Sequence, residues 1–304
     1  MIAARGGSRH SVCGLLFLLL VSGPPVACAQ SSSDHSTGDP STRVVYRKGL
    51  DLPLISVGAG LLIAGVLLDT DRRAVPLQGL DPAQIKLGID RGVVGNHDAN
   101  AADVSDALRN VSMAFPLVVR FASAPSGERW QSTGNVMLLY AEAVGLSEGI
   151  AMVTKKLVSR ARPYTYLPAE ELPGGDRYDP NRDYAFQSFP SGHATFAWCA
   201  ASLGIVDHLI TRPEAGWTEN AAIAFSGTAL ATAVSGLRVE AGQHFPTDVI
   251  VGSAIGAACG VAVPLMHQHT AGAESGSDAW VATAVGVVAG IVSGFIVSNV
   301  VGSN

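Results

Sequence analysis

Residues 245–266 read FPTDVIVGSAIGAACGVAVPLM, and their one charged residue, Asp248, lies near the start. Glycine recurs at every fourth position, as Gly252, Gly256 and Gly260. This spacing places the three glycines on one helix face, where a second backbone can approach closely, as is common in membranes. In water each such glycine would cost a helix about 1 kcal/mol. The stretch therefore predicts a helix that packs tightly inside a bundle or a membrane.

Similar apolar runs recur along the chain, at residues 52–68, 101–124, 133–157, 193–211, 220–237 and 279–301. Several approach or exceed the ~20 apolar residues that a helix needs to cross a bilayer. No strand-like alternation between hairpin turns is found. The sequence predicts an all-α fold, a helical bundle of about six to seven helices embedded in a membrane. A compact soluble bundle is the alternative, favoured by the charges Arg120, Glu142 and Glu148.

The composition supports the membrane interpretation. Hydrophobic residues make up 48% of the 304-residue chain and charged residues only 15%, whereas a typical soluble domain has about 25% charged residues. The net charge is −5 and no basic block occurs, so nucleic acid is not expected as a partner. The four cysteines form no CxxC pair, which gives a zinc or disulfide framework no support.

The N-terminus has the features of an export signal. Arg5 and Arg9 precede an apolar run at residues 14–21, and Ala27-Cys28-Ala29 offers a cleavage site. Residues 1–29 are therefore predicted to be a signal peptide, with an uncleaved N-terminal anchor as the alternative. The polar residues that follow predict a disordered linker over 30–48. Residues 49–304 are then expected to form one helical domain.

Three polar segments interrupt the apolar runs. They read Lys155-x6-Arg162-Pro163, Pro190-Ser191-Gly192-His193 and Arg238-x5-His244-x3-Asp248. Lysine and arginine bind phosphate oxygens, and the N-terminus of a helix that opens near Ser191 favours an anion. A histidine and an aspartate four residues apart share a helix face, so the carboxylate can orient the imidazole. These are the residue types that a phosphate-handling site needs.

In this order and at these spacings, the segments resemble the signature of the type-2 phosphatidic acid phosphatase superfamily, over roughly residues 150–250. The resemblance implies that His244 is a nucleophile that forms a phosphohistidine, that Asp248 orients it, and that His193 protonates the leaving oxygen. It further implies that the phosphate is bound by Lys155, Arg162, Ser191, Gly192 and Arg238. No metal or other cofactor is expected, because the three cations take its place. One departure is Leu237, where many members have a serine before the arginine.

The superfamily includes membrane lipid phosphatases, soluble bacterial acid phosphatases and vanadium haloperoxidases. We expect a phosphatase of a lipid or lipid-linked phosphate or diphosphate, in a bacterial cell envelope, with its site on the periplasmic or exterior face. The alternatives are a soluble periplasmic acid phosphatase, a haloperoxidase, and an inactive membrane scaffold or lipid-binding protein. If the linker and the site both lie on the exported side, helix 52–68 must cross the membrane inward and helix 133–157 must cross it outward. The charged segment 101–124 is then expected to lie at the interface or inside the bundle without spanning.

Some polar residues receive no role from the sequence. Lys156 and Arg160 have no position in the three segments and are interpreted as solvated charges. His267-x-His269 suggests a metal pair, but no acid or cysteine stands at ligand spacing, so no metal is expected there.

Overall fold

The computed structural model describes residues 42–44, 48–69 and 80–270. Within them the chain forms six long helices: α1 (Lys48–Leu67), α2 (Ala99–Ser123), α3 (Arg129–Val158), α4 (Gly192–Thr211), α5 (Trp217–Glu240) and α6 (Pro246–His267). Two short strands, β1 (Thr42–Val44) and β2 (Gln268–Thr270), pair antiparallel. The predicted all-α fold is confirmed. The signal peptide, most of the linker and the apolar run at 279–301 lie outside the described residues.

Short elements connect the long helices. A one-turn helix, Gly88–Arg91, precedes α2. The segment between α3 and α4 contains four 3₁₀ turns, at Pro163–Tyr166, Ala169–Glu171, Asp176–Tyr178 and Asp183–Phe186. Its aromatic side chains form a small core of their own, in which Tyr164, Tyr178 and Phe186 are buried. This segment is therefore a folded rim and not an open loop.

The glycines of α6 pack directly on α4, as their spacing predicts. A Cβ atom added to Gly252 would lie 2.4 Å from the Ser191 carbonyl oxygen, and one added to Gly256 would lie 1.9 Å from that of Thr195. Such distances leave no room for any side chain, so the two backbones are in contact. Because both contacts advance in the same direction along the two helices, α4 and α6 are parallel.

The six helices alternate in direction. Gly58 of α1 lies beside Gly145 of α3, and Gly65 lies beside Met152, so α1 and α3 are parallel. Along α2, Asp106 contacts His193 at the start of α4, and Arg120 lies near Asp207 towards its end. Thus α2 extends along most of α4 in the same direction. The bundle has a motif end, which holds the three polar segments, and a strand end, which holds β1 and β2.

This arrangement corrects one expectation. The sequence required α1 and α3 to be antiparallel, with residues 101–124 not crossing. That segment does pack inside the bundle, but as a full-length helix, and its charge Arg120 is paired with Asp207 at 3.5 Å. If α2 crosses the membrane, the residues before α1 and the three polar segments lie on opposite sides of it. An exported linker and an exported-face site therefore exclude each other if all six helices cross.

Five helical segments are long and apolar enough to span a membrane, namely Gly49–Leu67, Arg129–Tyr166, Gly192–Thr211, Trp217–Glu240 and Pro246–His267. Large apolar side chains on them face outward, among them Val66, Phe225 and Ile250. An apolar surface spread over several long helices fits hydrocarbon better than water. The bundle is suited to a membrane.

The helix directions predict which loops share a side of the membrane. In a cysteine-free background, Arg43→Cys in β1 and Ser126→Cys between α2 and α3 are expected to react with an impermeant thiol reagent from one side. Gly174→Cys in the rim segment is expected to react only from the other side. Labelling of intact and permeabilised cells measures this, and labelling of Arg43→Cys and Gly174→Cys from the same side would contradict the crossing of α2.

Candidate functional site

Lys155, near the end of α3, reaches the entrance of α4. Its Nζ donates to the carbonyl oxygen of Gln187 at 3.2 Å and also to that of Pro190. The next residue, Ser191, is the N-cap of α4, and its Oγ accepts from the Ala194 amide at 3.4 Å. A Cβ added to Gly192 would lie 3.7 Å from Lys155 Cε, so the first helical residue faces this lysine. The structure thus brings the first two predicted segments together.

Arg162 is buried beneath the rim segment. Its Nε donates to the Tyr184 carbonyl oxygen at 2.8 Å, and its Nη1 donates to both the carbonyl and the side-chain oxygen of Gln243, at 3.0 and 2.7 Å. Gln243 immediately precedes His244. These bonds fix the guanidinium between the rim segment and the third predicted segment.

His244 is fully enclosed and has a defined tautomer. Its Nδ1 lies 2.6 Å from the Ser188 carbonyl oxygen. A carbonyl only accepts, so Nδ1 carries the hydrogen and Nε2 keeps its lone pair. Burial, together with the nearby cations Arg162 and Lys155, holds the pKa of His244 well below its usual range. The ring is therefore neutral and its Nε2 is available as a nucleophile.

Asp248 acts on His244 through Ser188. Its Oδ2 lies 3.9 Å from His244 Nδ1, too far for a hydrogen bond. That oxygen instead accepts from Ser188 Oγ at 2.5 Å and from the Phe245 amide at 2.8 Å. The spacing of the two residues predicted that the carboxylate itself fixes the tautomer, but the Ser188 carbonyl makes that contact. Asp248 positions the backbone on both sides of the imidazole.

The family model of the PAP2 superfamily matches residues 136–271. This part of the chain is a PAP2-superfamily domain. No curated protein and no solved structure matches the chain. The match covers the three polar segments, most of α3 and all of α4, α5 and α6, and it supports an activity of the phosphatase type.

Arg160 has a structural role in the PAP2 domain that the sequence did not reveal. Its Nη1 donates to Asp248 at 2.5 Å and its Nη2 to Asp90 at 2.8 Å. Its guanidinium carbon lies 4.1 Å above the centre of the Phe245 ring. Asp90 also accepts from the Thr247 hydroxyl at 2.6 Å. Asp90 comes from the one-turn helix before the matched region, so no local pattern could have paired it with Arg160.

Asp106 of α2 is the second residue that the sequence missed. One oxygen lies 2.8 Å from His193 Nε2 and 3.0 Å from Arg238 Nη1, and the other accepts from Arg177 at 2.8 Å. His193 and the two arginines surround this carboxylate and stabilise its negative charge. The anionic carboxylate joins α2 to α4, α5 and the rim segment. The sequence had shown it only as one charge on an amphipathic helix.

We predict that Asp106→Asn lowers kcat/KM by about 10- to 100-fold, the scale of a lost charged hydrogen bond. It also removes the anion that favours protonated His193, so the alkaline limb of the pH–rate profile should move to lower pH. Asp103→Asn is the matched control. Asp103 contacts Arg177 at 2.6 Å, and no contact with His193 or Arg238 is found for it in the described part of the chain. Identical pH–rate profiles for the two variants would contradict a role for Asp106 at His193.

Proposed function

We propose that the PAP2 domain hydrolyses a phosphate monoester or diphosphate on a lipid or lipid-linked substrate, through a phosphohistidine at His244. The observation that carries this proposal is the state of His244. Its Nδ1 is bound by the Ser188 carbonyl, which leaves the Nε2 lone pair free. The ring is also buried among cations, which keeps it neutral. A neutral imidazole with one free nitrogen beside several cations is suited to attack phosphorus.

The surrounding charges are suited to a phosphoryl group. Phosphoryl transfer develops charge on the non-bridging oxygens, and catalysis consists mainly of holding that charge and aligning the nucleophile. Lys155, Arg162 and Arg238 all lie close enough to His244 to lower its pKa. The Nε of Arg238 and the Nε2 of Gln243 are buried donors with no acceptor among the described residues. Phosphoryl oxygens would supply those acceptors.

The proposed reaction has two steps. In the first, His244 Nε2 attacks phosphorus, the bond to the leaving oxygen breaks, and His193 donates a proton to that oxygen. In the second, water attacks the phosphohistidine, His193 takes its proton, and inorganic phosphate leaves while His244 regains its lone pair. Asp106 lies 2.8 Å from His193 Nε2, where its carboxylate orients the ring and partly offsets the nearby cations.

The membrane setting supports a lipid substrate over a soluble one. The motif segments lie at one end of a bundle whose helical segments are long and apolar enough to span a bilayer. At that end, the head group of a lipid could meet Lys155 and Arg162 while its chains stay among apolar helix surfaces. We further propose a bacterial cell envelope as the location. An exported-face site then requires the chain before α1 to stay on the inner side.

We predict that His244→Ala lowers turnover by about four or more orders of magnitude, as removal of a nucleophile does. Asp248→Asn should cost less, because it weakens the support of His244 and leaves the attacking atom in place. Rapid quenching with a substrate that carries radiolabelled phosphate should trap an acid-labile phosphoenzyme in the unmodified protein and none in His244→Ala.

His97→Ala is the control for this experiment. His97 is an exposed histidine at the motif end whose Nδ1 lies 2.6 Å from the Gly95 carbonyl oxygen. The His97→Ala variant should retain turnover and should still form the phosphoenzyme. A phosphoenzyme that forms normally in His244→Ala would remove His244 from the mechanism.

We predict a strong preference for long-chain substrates over soluble ones with the same head group. Each methylene removed from water contributes about 0.8 kcal/mol. Long-chain phosphatidate in mixed micelles should therefore exceed glycerol phosphate in kcat/KM by about 100-fold or more, with vanadate inhibiting both reactions at one site. Phosphate release measures the preference. Equal efficiency with both substrates would indicate a non-specific acid phosphatase.

A further inference from the structure

Three ionisable side chains meet near the strand end of the bundle. Asp51 lies in the first turn of α1, Glu142 lies inside α3, and His267 is the last residue of α6. None is more than 1% exposed. One candidate ligand atom from each lies within 4.8 Å of the other two. No acid stands near His267 in the sequence, because the fold supplies both acids from helices that are distant along the chain.

The contacts of His267 define its tautomer. Its Nδ1 lies 2.8 Å from the Val263 carbonyl oxygen, so this nitrogen carries a hydrogen. The other nitrogen, Nε2, lies 2.9 Å from Asp51 Oδ1 and 3.5 Å from Glu142 Oε2. In the neutral ring, Nε2 therefore carries a lone pair and no hydrogen. An imidazole nitrogen and two carboxylates that face one another are stable only with a metal cation or shared protons between them.

Glu142 provides an independent sign that a ligand belongs here. Both of its carboxylate oxygens are buried and accept no hydrogen bond from the described residues. A buried acceptor without a partner costs about 1–3 kcal/mol, and more when it is charged. The carboxylate is directed toward His267 and would be satisfied by a cation that the three side chains share.

We propose that Asp51, Glu142 and His267 bind one divalent transition-metal ion, for which Zn²⁺ is the probe. Neutral imidazole and two carboxylates are ligands that Zn²⁺ accepts, and together they balance its charge. A ligating histidine that donates its other N–H to a backbone carbonyl is the usual outer arrangement of such sites. Tetrahedral ligands of Zn²⁺ lie about 3.4 Å apart, so side-chain adjustments of about an ångström complete the site.

The proposed ion is separate from the phosphate chemistry. Glu142 precedes Lys155 by nearly four turns of α3, which is about 20 Å along the helix. The ion would instead fasten the start of α1, which packs chiefly on α3, to the end of α6. The pairing of β1 with β2 joins the chain beside the same two helix ends. The expected effect of the ion is therefore on stability and not on the reacting atoms.

The test uses the full chain, purified in detergent without a histidine tag and stripped of metal. The unmodified protein should bind one zinc ion per chain by elemental analysis, and zinc should raise its Tm. Glu142→Gln should weaken zinc binding by about 10- to 100-fold or more and lose the Tm response. Asp207→Asn is the matched control, because Asp207 is a buried acid beside Arg120 outside this cluster. It should bind zinc as the unmodified protein does.

A second measurement keeps the test decisive if Glu142→Gln does not fold. Cobalt bound to the unmodified protein should give a visible absorption spectrum of nitrogen and oxygen ligands, and zinc should displace it. The rival state holds the cluster with two protons, one on His267 and one on a carboxyl group. Failure of the unmodified protein to bind zinc would overturn the metal site, as would zinc binding unchanged by Glu142→Gln. A Tm that responds to acid but not to zinc would also overturn it.

Discussion

The buried carboxylate of Asp248 joins parts of the chain that are far apart in sequence. It accepts from Ser188 before α4, from Arg160 after α3 and from the Phe245 amide at the start of α6. A buried charge that loses its partners costs several kcal/mol, so the loss of these contacts would weaken the support of His244. Ser188 in turn presents its carbonyl to His244. The geometry around the imidazole thus depends on one carboxylate that does not touch it.

The cations of the site differ in how they are held. Arg160 and Arg238 each contact an aspartate, at 2.5 and 3.0 Å. Lys155 and Arg162 are held by carbonyl oxygens and by the neutral side chain of Gln243. Neutral partners fix a side chain without neutralising it. Lys155 and Arg162 thus keep their charge for a bound anion, with the carboxylates of Glu148 and Asp248 also near Lys155. Arg238 contacts Asp106 and still has an unpaired Nε.

The sequence predicted what is local. Glycine spacing predicted the close face of α6, and the three segments predicted which residues meet near His244. Asp90 and Asp106 could not be found in this way. Each pairs with residues that are at least 70 positions away in the sequence, and neither lies in one of the three polar segments. The predicted direction of α1 relative to α3 was wrong for a related reason. The charges of 101–124 appeared to forbid a crossing, yet Asp106 and Arg120 are paired inside the bundle.

The contact between α4 and α6 fixes the positions of two histidines independently of the rim segment that borders the site. His193 opens one of these helices, and His244 directly precedes the other. Because Gly252 and Gly256 lock the two backbones together in parallel, the proposed acid and the proposed nucleophile are carried on one rigid unit. The rim segment has its own aromatic core. Substitutions on its outer surface can change which substrate is admitted without moving His193 or His244. A fold built in this way can diversify its substrates while its chemistry stays constant.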